Sequence, residues 1–174
     1  MRQLLRYAIF ETRWGHFGLA GTDLAIYRTC LPQRNPQRAK AQLLRALPSA
    51  REDSGLLRPL QQQIIAYFKG SAVEFDRDMS IAWQDSSPFG IRVLSACRAV
   101  RFAKTVTYGQ LAKNIGRPTA ARAVGSALAK NPVPLIVPCH RVVRGDGTMG
   151  GFSALGGVSL KKKMLELERQ ALSA

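Results

Sequence analysis

Three prolines stand within seven residues, at Pro132, Pro134 and Pro138, and Cys139 and His140 follow directly after the last of them. Proline has no backbone N–H to give to a helix or a sheet ladder and holds φ at about −65°, so residues 132–138 are predicted to form a braced loop or a single strand. Any fold this chain adopts must accommodate a stiff segment that ends on a thiol beside an imidazole. The chain has two histidines, His16 and His140, and only the second adjoins a cysteine. A thiol attacks as its thiolate, and a nearby imidazole or cation lowers its pKa from roughly 8.5. In an extended strand, neighbouring side chains point to opposite faces, so a turn or a bridging water has to intervene before Cys139 and His140 can exchange a proton. An acid elsewhere could orient the imidazole, the candidates being Asp146, Glu166 and Glu168. Taken alone, the pair suits acyl transfer, redox chemistry or alkyl transfer equally, or no chemistry at all.

Charge narrows the choice of partner. Lys and Arg number 26 against 11 acidic residues, a net charge of +15 spread along the chain, which points to nucleic acid ahead of an anionic membrane surface. With 46% hydrophobic residues in 174, one ordinary domain or two small ones can bury a core. No apolar run reaches membrane-spanning length, and the start MRQLLRYAIFETRWGHFG lacks a continuous apolar stretch and a cleavage site, so a cytoplasmic protein is expected. Cys30, Cys97 and Cys139 are odd in number and widely spaced, which fits a reducing compartment, and no Cys-x-x-Cys or similar pair suggests a metal site.

Periodicity predicts an α+β module first. RYAIFET, FGLAGT and LAIYRTC read as short strands separated by turns at Trp14-Gly15 and Thr22-Asp23. A helix is predicted from Asn35-Pro36-Gln37 to Pro48, and another over Leu56 to Lys69 with Gly70 as its stop. A boundary is placed in Gln84-Asp85-Ser86-Ser87, before a helix capped by Ser87, opened by Pro88 and running to about Phe102, with Cys97 on its apolar face. Tyr108–Ile115, Gly116-Arg117-Pro118 and Thr119–Lys130 then read as a helix-turn-helix candidate. Its second helix is built from Ala, Gly and Ser around Arg122, which suits either tight packing or close approach to a partner. A last helix spans Ser159 to Gln170, with Lys161, Lys162 and Lys163 read as a solvated face.

From Pro88 to about Gln170 the chain resembles the O6-alkylguanine-DNA alkyltransferase family. The resemblance rests on Pro138-Cys139-His140-Arg141-Val142, on Val106-Thr107-Tyr108-Gly109-Gln110-Leu111-Ala112, on Gly116-Arg117-Pro118, on Ala121-Arg122-Ala123-Val124-Gly125 and on Asn131-Pro132-Val133-Pro134, in the family's order and at its separations. It implies an RNase H-like α/β domain over residues 1–85 and a mainly helical, winged-helix-like domain with a helix-turn-helix over 86–174. It also implies a stand-alone, constitutive and monomeric protein that acts without cofactor or metal on double-stranded DNA containing O6-alkylguanine, with O4-alkylthymine as a second candidate.

The same resemblance implies the roles of individual residues. Cys139 would accept the alkyl group once and irreversibly. His140 would take the thiol proton through water, Glu168 would orient the imidazole, and Asn131 would brace the loop. Tyr108 would press on the phosphate of the flipped nucleotide and donate to its base. Arg122 would fill the gap left in the stack, with Ala121, Gly125 and Arg141 also on the DNA side. Ser153, Phe152, Val142 and Pro134 would form the pocket, Phe152 standing where many relatives carry Tyr. The main alternative is a lesion-binding protein without transfer activity, against which Cys139 argues directly.

Overall fold

A computed structural model describes residues 4–173. The chain divides into two compact units, residues 1–84 and 85–174. No helix among the described residues is long and apolar enough to cross a membrane.

In the first unit, β1 (Arg6–Thr12), β2 (Gly15–Gly21) and β3 (Ala25–Gln33) form an antiparallel meander, with Phe10 opposite Phe17 and Leu19 opposite Thr29. Gly15, at φ +120°, makes the first turn, where a Cβ would lie 2.6 Å from the Gln33 carbonyl oxygen. Two short strands not expected from the sequence, β4 (Arg51–Glu52) and β5 (Ser80–Ile81), pair in parallel at the two edges and complete the order β4-β1-β2-β3-β5. Each contributes two residues, too few for an alternating pattern to be visible.

Helix α1 (Pro36–Ala46) is capped by the Asn35 side chain, which accepts from the Gln37 N–H, and lays Ala39 and Leu43 against Tyr7, Ala20 and Cys30 on one face of the sheet. Helix α2 (Arg58–Phe68) brings Phe68 to within 6.0 Å of the Phe17 ring on the other face. Residues one apart along β1 and β2 thus serve two different cores, which is the consequence of the strand period of two.

The second unit is mainly helical. Helix α3 (Pro88–Arg98) starts at Ser87, whose hydroxyl accepts from the Gly90 N–H, and ends before the expected Phe102, where the Ala99 and Val100 N–H groups bond three residues back to Ala96 and Cys97; Ala103 further on takes a left-handed φ of 54°. Strand β6 (Val106–Thr107) leads into α4 (Tyr108–Asn114), closed by a reciprocal capping box between Thr107 and Gln110. After a turn at Gly116, φ +71°, comes α5 (Ala121–Leu128), shorter at both ends than the pattern suggested. The proline segment passes through Leu135 at φ 78° and enters a 3-10 turn over Cys139–Arg141. Strand β7 (Val142–Val143) then pairs in parallel with β6, and α6 (Gly157–Ala171) closes the unit.

Leu43, 2% exposed between α1 and the sheet, is a test of the first core. Leu43→Ala is expected to cost about 2–5 kcal/mol, read as a lowered urea midpoint of the first unit's transition.

Candidate active site

The 3-10 turn solves the geometric problem posed by adjacent Cys139 and His140. At three residues per turn, successive side chains leave the axis about 120° apart, so Cys139, His140 and Arg141 project in three directions. The Cys139 N–H donates to Val137 O at 2.8 Å and the Arg141 N–H to Pro138 O at 2.9 Å, which fixes the turn to the proline segment. Pairing of Val106 with Val142 and of Thr107 with Val143 then holds Tyr108, the first residue of α4, close to the thiol loop.

His140 and Arg141 both turn inward to Glu168 on α6. His140 Nε2 lies 2.6 Å from Glu168 Oε1, and the Arg141 guanidinium donates to both carboxylate oxygens through Nε and Nη2, at 3.0 to 3.2 Å. Arg141 Nη1 also donates to Val100 O at 2.7 Å, and Glu168 Oε2 accepts the Ala103 N–H at 2.9 Å. Side chains of His140 and Glu168 are 0% exposed. Burial alone would raise the Glu168 carboxyl, but hydrogen bonds and charges from His140 and Arg141 more than reverse this and bring it to about 2. Burial lowers His140 despite the carboxylate beside it, which leaves a neutral imidazole able to accept a proton at pH 7.

Cys139 is 9% exposed at the wall of a cavity of about 870 Å³, within the usual size of ligand pockets. Asn131 organises the loop, its Nδ2 donating to Val137 O at 2.9 Å and to Cys139 Sγ at 3.2 Å while its Oδ1 accepts the Val133 N–H at 3.0 Å. Burial pushes the thiol above its ordinary range, opposed first by the Asn131 hydrogen bond and then by Lys161 and the local backbone N–H groups. Cys139 therefore rests as a thiol, and a base must take its proton before it can attack.

Tyr108, Gly109, Ala121, Arg122, Gly125 and Ser126 line one side of the cavity, and Gly150, Gly151, Phe152 and Ser153 the other. A Cβ on Gly150 would overlap the Tyr108 ring and hydroxyl, so only glycine lets the two walls meet there. Burial raises the Tyr108 hydroxyl and keeps its proton in place.

Three sequence expectations need correction. Arg141, assigned to the DNA side, is 4% exposed and its guanidinium is spent on Glu168 and Val100, because a buried carboxylate shared with histidine requires a permanent cation. Val142 and Pro134 are absent from the described cavity lining; Val142 is fully buried in the small sheet. Lys161, read as solvated, is 0% exposed and donates to Val142 O at 2.5 Å, unlike its exposed neighbours Lys162 and Lys163. Of the three candidate acids, Asp146 binds Thr148 in an exposed turn and Glu166 pairs with Arg169, which leaves Glu168 at the histidine. Sequence reasoning also missed Arg144, which lines the cavity.

The comparisons with known proteins are consistent across the chain. Residues 88–170 match the profile described as 6-O-methylguanine DNA methyltransferase, DNA binding domain. A methylated-DNA–protein-cysteine methyltransferase of Methanosarcina acetivorans is 35% identical over 93% of this chain and 97% of its own length. One from Metallosphaera sedula is 47% identical over 59% of this chain and 61% of its own. The crystal structure of Mycobacterium tuberculosis OGT in complex with DNA superposes with a TM-score of 0.77, at 32% identity, covering 95% of this chain and 94% of that one.

The buried carboxylate makes an acid-stability prediction. Its pKa is lower folded, about 2, than the ordinary 4.5, so its stabilising contribution is whole above about pH 4.5 and drains away as pH falls toward 2. Glu168→Gln leaves Arg141 buried without its counter-charge and is expected to cost about 3–5 kcal/mol at pH 7, with a flatter stability profile between those two pH values, measured by urea denaturation.

Proposed function

The chain belongs to the 6-O-methylguanine DNA methyltransferase family, and from that membership we propose how its residues carry out DNA repair by alkyl transfer. Cys139 is the acceptor. The observation that carries this reading is a single thiol at the wall of an open cavity, held by Asn131 and followed in sequence by an imidazole locked onto a buried carboxylate.

The reaction begins with the Sγ proton passing to His140. Nε2 is engaged with Glu168, so Nδ1 receives it, through a water, and Glu168 stabilises the imidazolium that forms. The thiolate attacks the alkyl carbon on O6; the S–C bond forms as the C–O bond breaks. The electron pair leaves with guanine, which takes a proton from the Tyr108 hydroxyl, and Tyr108 is reprotonated from the His140 side. The Ser153 backbone N–H binds O6, and Phe152 packs on the base. The product thioether has no hydrolysable bond, so each molecule reacts once.

Exposed Arg122 at the cavity rim, on a helix otherwise small in side chains, supports minor-groove approach with the arginine filling the stack from which the base was drawn. Ala121 and Gly125 keep that approach close. The net charge of +15 supports binding dominated by the DNA backbone. In this reading the protein acts as a cytoplasmic monomer, its first unit RNase H-like and its second winged-helix-like, the latter supported by the pairing of β6 and β7 beside α4 and α5.

Two measurements test the reading. Incubation with a duplex containing one O6-methylguanine is expected to add one methylene to the intact mass, confined to Cys139, saturating at one per chain and absent in Cys139→Ala. Lesion binding without a mass change would leave a recognition protein only. Arg122→Ala is expected to slow transfer from duplex at least about tenfold while leaving reaction with the free alkylated base unchanged, since the free base needs no flipping.

A further inference from the structure

Lys161 is a costly residue with no task in the mechanism above. Its side chain is 0% exposed, its Nζ donates to Val142 O at 2.5 Å, and it stands 5.7 Å from the centroid of the Tyr108 ring. Among the described residues no carboxylate pairs with it: Glu168, on the same helix, is committed to His140, Arg141 and Ala103. A buried ammonium without a counter-ion is unfavourable, and chains usually avoid one by substitution or neutralisation.

The charges around it indicate what it serves. Lys161 and Arg141 are cationic, Glu168 is anionic, His140 is neutral at rest and Cys139 is a thiol, so this buried group carries one positive charge in excess. Passage of the Cys139 proton to His140 leaves that total unchanged but sets a negative charge on sulfur and a second positive charge beside Glu168, so the thiolate meets the otherwise unmatched ammonium. Burial lowers the Lys161 ammonium, and the groups that favour its charge are Cys139 first and then Cys97, while Arg144 opposes it. We propose that the Lys161 ammonium is the built-in counter-charge of the Cys139 thiolate, present to stabilise the nucleophile in a site from which the alkyl-bearing base excludes water. This rests on the reading of Cys139 as the acceptor and makes Lys161 a positioning residue that acts through it.

Other groups facing the thiol act in both directions. Asn131 Nδ2 and the backbone N–H groups of Cys139 and His140 help the thiolate. Half-buried Tyr108 and buried Cys97 are both raised above their ordinary ranges, so neither competes as an anion. Lys161 and Arg141 both disfavour the imidazolium, and Glu168 at 2.6 Å favours it. The two stages of ionisation are thus divided: Lys161 holds the negative charge on sulfur and Glu168 holds the proton on His140.

The test compares the full-length protein with Lys161→Met, a neutral side chain of similar length that can stay buried. Two rates are followed against pH: carbamidomethylation of Cys139 by iodoacetamide, read site by site in the mass spectrum, and methyl transfer from duplex. Loss of the counter-charge is expected to move the acid limb of both profiles up by about one pH unit or more, which is about tenfold slower at pH 7 with convergence on the parent at high pH. A loss by the same factor at every pH would reduce Lys161 to a brace for Val142 and overturn the proposal, as would unchanged profiles. A second measurement needs no lysine variant: the Lys161 ammonium, titrated by NMR, is expected to lose its proton at lower pH in Cys139→Ala than in the parent, and equal values would overturn the pairing. The expected shift in the carbamidomethylation profile without any transfer from DNA in either protein would instead sink the functional reading while leaving the ion pair intact.

Discussion

The carboxylate of Glu168 is the point on which the second unit converges. It sits on the last helix, far along the chain from its partners, and accepts hydrogen bonds from the His140 ring, from the Arg141 fork and from the backbone of Ala103. A buried carboxylate is tolerable only when its lone pairs are filled and its charge is matched, and Arg141 supplies a cation that cannot be neutralised. The same bonds hold the 3-10 turn against α6 and tie down Ala103, which takes a left-handed conformation. Folding and catalytic alignment therefore depend on one cluster, so a change that loosens the imidazole also weakens the unit that carries it.

Around that cluster the site separates a dry side from an open one. Glu168, His140, Arg141 and Lys161 lie inside, while Cys139 reaches the cavity wall from between them and Arg122, Arg144 and the glycine-rich loop face outward. The proline segment and Asn131 make this possible, since together they satisfy the backbone of a loop that no helix or long strand supports. Placing Cys139 on the boundary raises the cost of ionising it, and in the proposed reaction a base and a positive charge nearby offset that cost. In the proposed reaction methyl transfer to sulfur is irreversible, so a thiol that rests protonated is protected from losing its one reaction to another electrophile.

Much of this was legible in the residues, for reasons that differ from place to place. The meander of the first unit was visible because RYAIFET, FGLAGT and LAIYRTC are strand-like runs separated by turn residues, whereas β4 and β5, at two residues each, are too short to read. Helix starts were marked by Asn35 and Ser87, whose side chains cap them in the fold; the end of α3 was placed too late because its apolar face continues in sequence past Arg98, where the last turn tightens to bonds three residues back. Cys139, His140 and Asn131 were visible through their local block and its family resemblance.

Lys161 and Arg141 were misread because charge type predicts exposure only on average. Lys161 stands in a run of three lysines on a helix, and a turn of about 100° per residue sends one of them inward while its neighbours remain in water. Local sequence determined the elements, their caps and the stiff loop that carries the thiol, since these depend on backbone restriction and on neighbours within a few residues. Only the tertiary structure decided which acid meets His140, which cation is buried and that the thiol is held protonated, because burial and charge pairing arise between residues that the chain brings together from far apart.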